Sequence, residues 1–85
     1  MSDMEIRSQL RAFILENYLF TDDQNALSDT QSFLKAGILD SMGILELIAF
    51  LEEELGVMVA PAEMVPENLD SIDNLMAFIV NRIPA

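Results

Sequence analysis

Residues 37–56 read GILDSMGILELIAFLEEELG, and this stretch decides the fold. Its apolar residues recur at the spacing of an amphipathic α-helix, which predicts a helix from Ser41 to Leu55. Asp40 stands where an N-cap side chain is favoured, and Gly56 suits the C-terminal cap. On a helical wheel, five apolar residues share about a third of the circumference and form the predicted core stripe. They are Ile44, Leu47, Ile48, Leu51 and Leu55.

The opposite side of this helix mixes apolar and acidic residues. It carries Met42, Leu45, Glu46, Ala49, Glu52 and Glu53. A solvated face with scattered hydrophobes has this composition. So does a docking strip, on which carboxylates steer a basic partner and the apolar side chains supply desolvated contact. The charges favour docking, because residues 36–81 contain nine acids and no Lys or Arg with which they could pair.

The segment before this helix predicts one long helix and one long loop. Helical spacing and an acidic first turn indicate a helix from Asp3 to Leu19. Residues 20–39 are rich in turn formers and predict a loop of unusual length, a feature that is often functional. Four apolar residues are expected to pin this loop to the core. They are Phe33, Leu34, Ile38 and Leu39.

The segment after Gly56 predicts a short helix and a longer one. Pro61 suits the first turn of a brief third helix that ends at Met64. A turn follows at residues 66–70, and a fourth helix is expected from Ile72 to Ile83, ended by Pro84. The predicted fold is therefore all-α: a small four-helix bundle of three longer helices and one short third helix, with the long loop between helices one and two.

Composition excludes several functions. We expect the 85 residues to form one domain, 1–85, and a monomer. The formal net charge of -11 argues against binding nucleic acid or anionic membranes. Cys and His are absent, which argues against zinc sites, thiol catalysis and a Ser-His-Asp triad, so we expect no catalysis and no metal. No run of apolar residues could span a membrane, and the start lacks a signal-peptide pattern, so a cytoplasmic location is expected.

Ser41 lies where the long loop meets the second helix. A helix N-terminus favours an anion, so Ser41 could carry a phosphate ester. Helix capping is the more ordinary interpretation of a serine at this position. No base is adjacent in the sequence, so another enzyme would have to modify it. Gly43 costs the helix roughly 1 kcal/mol relative to Ala and indicates a need for a small residue nearby.

The chain resembles the acyl carrier proteins over essentially its whole length. The resemblance rests on Leu39-Asp40-Ser41-Met42, on the run from Leu51 to Val57, and on Asp70-Ser71-Ile72-Asp73-Asn74-Leu75. It implies a carrier with 4'-phosphopantetheine on Ser41, added from coenzyme A by a phosphopantetheinyl transferase that Asp40 helps to engage. The arm's thiol would hold an acyl or aminoacyl group as a thioester.

The resemblance also implies partners and a subclass. Family contacts with partner enzymes match Met42, Leu45, Glu46, Ala49, Glu52 and Glu53. Leu39 and Gly43 depart from the fatty-acid synthesis carriers, and Leu-Asp-Ser-Met-Gly looks more like stand-alone carriers for amino acids, such as the D-alanyl carrier. Such carriers are loaded by an AMP-forming acyl or aminoacyl ligase and emptied by a downstream acyltransferase or synthase.

Two alternatives remain open from the sequence. An unmodified acidic helical adaptor, which only binds proteins through the second helix, would have the same composition. A slot for a short acyl chain, as the family has, could be lined by four residues that an ordinary core would also contain. They are Val57, Val59, Met64 and Ile72.

Overall fold

The computed structural model describes residues 2–80 and 82, and it contains four α-helices and no strand in that part of the chain. The helices are α1 (Asp3–Ile14), α2 (Ser41–Leu55), α3 (Pro66–Leu69) and α4 (Ile72–Ile79). Short 3-10 turns lie at Gln24–Ala26 and Pro61–Glu63. The all-α prediction is confirmed. None of the helices in the described part is both long and apolar enough to cross a membrane.

The first helix has the predicted extent but changes its winding. The Ser2 hydroxyl accepts a hydrogen bond from the backbone N–H of Glu5 and begins α1. Ile6, Leu10 and Ile14 form its buried stripe. The next turn, Leu15–Leu19, is a π-helix. It ends at Phe20, whose φ of 53° places a non-glycine residue in the left-handed region.

The C-terminal part differs from the prediction in two places. The segment from Pro61 to Met64, expected as the third helix, is a 3-10 turn at Pro61–Glu63, whereas the expected turn at residues 66–70 contains α3. Pro66 explains α3, since proline sets the backbone angle of a first helical turn and Leu69 then reaches the core. The fourth helix ends at Ile79. The predicted end at Ile83 and Pro84 lies outside the described residues.

The core joins the helices to the long loop. Leu47, Ile48, Leu51 and Leu55 of the predicted α2 stripe are buried, while Ile44 is only half-buried. In the loop, Phe33 and Leu39 are buried and Ile38 packs against the core as predicted. Leu34 is 46% exposed and does not pin the loop as expected.

Asp70 fixes the loop to the junction of α3 and α4. Its carboxylate accepts hydrogen bonds from the Ser32 hydroxyl and from the backbone N–H of Leu34, the latter at 3.0 Å. Its backbone carbonyl accepts a 2.9 Å hydrogen bond from the N–H of Phe33. A second attachment lies at Asp29, whose carboxylate pairs with Arg7 at 2.7 Å and Arg11 at 2.5 Å.

Replacing Asp70 by Ala should loosen this loop. The substitution removes two side-chain acceptors and leaves the Leu34 N–H without its partner, so the free energy of unfolding should fall by about 1–3 kcal/mol. Urea unfolding followed by circular dichroism measures this change. The exposed Glu67 on α3 is the matched control, and Glu67→Ala should change stability by less than about 0.5 kcal/mol. Equal effects of the two substitutions would contradict the anchoring role of Asp70.

Candidate functional site

Asp40 begins the second helix and thereby determines the environment of Ser41. The Asp40 carboxylate accepts a 2.9 Å hydrogen bond from the backbone N–H of Gly43, and its carbonyl accepts one from the N–H of Ile44, also at 2.9 Å. The predicted cap is therefore present. Ser41 is the first helical residue, it is exposed, and its hydroxyl makes no hydrogen bond within the described residues. The interpretation of Ser41 as the N-cap residue is wrong, because Asp40 is the N-cap of α2.

The surface around Ser41 is an open depression. Its walls combine loop residues, the start of α2 and Tyr18 from the π-helical turn. Tyr18 lies in this π-helical turn and faces Gly43 and Glu46 of α2, and such turns are frequent at functional sites. Tyr18 could not be assigned to this site from the sequence, because its spacing predicts a regular helix.

The loop and the π-helical turn both approach α2 at Gly43. A Cβ atom at Gly43 would lie 3.0 Å from Leu39 Cδ2 and 3.4 Å from Tyr18 Cε1. The distance to Leu39 is tighter than ordinary van der Waals contact, whereas the distance to Tyr18 is at the short end of it. Close packing against Leu39 thus explains the small residue that the sequence indicated.

Tyr18 is held in its neutral form. Burial is the main cause that raises its pKa to about 12, followed by its interaction with the Glu46 carboxylate and by the charge of Asp40. Glu46, one of the predicted partner residues, therefore already interacts with Tyr18 in the unbound protein. The aromatic ring also meets Phe13 edge-on, with centroids 5.7 Å apart.

The titration of Tyr18 tests this environment, and the chain has no other tyrosine. Its absorbance change should have its midpoint near pH 12, about two units above an unfolded tyrosine. Because the folded pKa is the higher one, this contribution to stability is complete below about pH 10 and is lost as the pH rises through 12. Glu46→Gln should lower the midpoint only part of the way, since burial remains. A midpoint near 10 with the fold intact by circular dichroism would contradict the buried, acid-facing position.

The outward side of α2 is exposed as the wheel predicts. Met42 and Leu45 are 67% and 55% exposed, which is high for large apolar side chains. The four other predicted partner residues are exposed as well. They are Glu46, Ala49, Glu52 and Glu53. Their role in partner binding stays a prediction.

A small apolar cavity lies beside the depression, with a volume of about 140 Å³. Of the four residues considered for an acyl slot, only Met64 lines it; Val57, Val59 and Ile72 belong to the core. The other lining residues were missed, because they come from the loop, α2 and the unpredicted α3. They are Leu34, Ile44, Val65, Pro66, Leu69 and Asp70. Leu34 borders both the cavity and the depression at Ser41.

Comparison with known proteins assigns the class. Residues 17–79 match the family described as phosphopantetheine attachment site, so the chain belongs to the phosphopantetheine-bearing carrier proteins. Members of this family are carriers and not enzymes; they bear a covalent 4'-phosphopantetheine arm and interact with the enzymes that they serve.

Two relatives define the similarity further. The chain is 30% identical over 82 residues to the D-alanyl carrier protein of Streptococcus suis (strain 98HAH33), covering 96% of this chain and 100% of that protein. It is 37% identical over 49 residues to the D-alanyl carrier protein of Abiotrophia defectiva, covering 58% of this chain and 62% of that one.

Proposed function

We propose that Ser41 is the attachment point of the arm. The matched span contains four serines, and three of them are engaged elsewhere. Ser28 bonds to Thr30, Ser32 donates to Asp70, and Ser71 is buried and caps α4. Ser41 has an exposed hydroxyl with no intramolecular hydrogen bond within the described residues, and this observation carries the proposal.

The start of α2 suits a phosphodiester on Ser41. The first backbone N–H groups of a helix and its dipole favour an anion, and a phosphodiester is one. Asp40 supports the site in two ways: it holds the helix start through Gly43, and its exposed position lets it engage the phosphopantetheinyl transferase. The arm, once attached, supplies the thiol that this cysteine-free chain lacks.

We propose further that the exposed side of α2 docks successive enzymes. Met42, Leu45 and Ala49 supply apolar contact, while Glu46, Glu52 and Glu53 steer basic patches. The partners would be the transferase, an AMP-forming ligase that loads the arm, and an acyltransferase or synthase that empties it. The single domain 1–85 would work as a monomer, in the cytoplasm where coenzyme A and ATP are available.

The cargo that the site supports best is small. A cavity of about 140 Å³ is close in size to one that holds benzene, so it suits a short cargo better than a long fatty chain. Both relatives are named D-alanyl carrier proteins. We therefore propose an amino acid of the size of D-alanine, held as a thioester.

Intact mass measurement tests the proposed attachment site. Incubation with coenzyme A and a broad-specificity phosphopantetheinyl transferase should add one phosphopantetheine to the wild-type chain. Ser41→Ala should remain unmodified and folded. Ser28→Ala, which changes another exposed serine of the matched span, should be modified like the wild type. Modification of Ser41→Ala would place the arm on another residue and reject the assignment. No modification of the folded wild type would leave the unmodified acidic adaptor as the better description.

A further inference from the structure

A groove between α1 and α2 adjoins the predicted partner face, which contributes Glu46, Ala49 and Glu53 to its lining. Phe13 and Phe50 form its floor, with ring centroids 4.4 Å apart and planes inclined by 31°. Two adjoining lobes of the groove share these rings and Glu54. Four carboxylates stand around the floor. They belong to Glu16, Glu46, Glu53 and Glu54.

No cation of this chain reaches the groove among the described residues. Arg7 and Arg11 lie on α1, but Arg7 pairs with Asp29 and Asp73, and Arg11 with Asp29 and Gln24. Arg82 pairs with Glu63 and stacks on Phe78. Lys35 lies in the loop and lines neither lobe. The arginines are thus engaged elsewhere, and the groove keeps an uncompensated negative charge.

We propose that this α1–α2 groove binds an arginine side chain of a partner enzyme. A guanidinium stacks on aromatic faces and donates to carboxylates in a planar fork, so a floor of two rings with a rim of carboxylates suits arginine better than lysine. Charge complementarity selects a basic partner and disfavours a second copy of this acidic chain. The inference rests on the proposed carrier function, and it extends the partner footprint from α2 across to α1.

The test uses two capped peptides as probes. One contains arginines and the other lysines, each spaced by glycines. Binding is followed by NMR titration of the isotope-labelled protein. The arginine peptide should shift the amide signals of Ala12, Phe13, Phe50 and Glu54. It should bind about two- to fivefold more tightly than the lysine peptide. Phe50→Leu keeps apolar volume but removes the ring, so this preference should vanish; Phe13→Leu serves the same purpose if that variant does not fold.

Charge reversal gives the matched comparison. Glu16→Lys with Glu54→Lys should weaken arginine-peptide binding about five- to tenfold. Glu5→Lys with Glu67→Lys makes the same change in net charge away from the groove and should weaken it less than twofold. Equal losses in the two double variants, equal binding of both peptides, or shifts confined to residues 41–45 would overturn the proposal. Concentration-dependent shifts in the groove without peptide would assign it to a second copy and also overturn it.

Both double variants should still accept phosphopantetheine, as judged by intact mass. This readout keeps the two hypotheses apart. Loading with no arginine preference would reject the groove alone, whereas failure of the wild type to load would reject the carrier function on which it rests.

Discussion

The hydrogen bond from the Gly43 N–H to the Asp40 carboxylate is the interaction on which the site depends. It begins α2 one residue before the serine, so the serine hydroxyl is not needed as a cap and faces solvent. Gly43 supplies the N–H, and its lack of a Cβ lets Leu39 pack closely against the start of α2.

The distribution of charge follows a simple division. All the arginines of the chain pair with carboxylates, two of them at the loop and one at the segment before α3. The second helix has acidic residues and no basic ones. Exposed ion pairs contribute little to stability, so this division matters more for recognition than for the fold. An acidic surface without basic partners in the same chain repels other copies of the chain and attracts basic proteins.

The structure could be predicted from the sequence where the hydrophobic period and the capping residues are clear. The second helix, its cap at Asp40, its final Gly56 and its exposed face could all be predicted, and so could the place of Ser41 at the junction. The π-helical turn could not, because its residues have the same apolar spacing as a regular helix. Tyr18 was therefore not predicted as a residue of the site. The third helix was missed because a helix of four residues is too short to show a hydrophobic period. Most of the cavity lining was missed for the same reason.

The central claim is that a helix capped by Asp40 presents Ser41 for modification. Its most direct test is to locate the arm on the protein by fragmentation mass spectrometry, after co-expression with a phosphopantetheinyl transferase. Fragment ions should assign the added mass to Ser41 and leave the other serines unmodified. Assignment of the arm to Ser28, Ser32 or Ser71 would contradict the account.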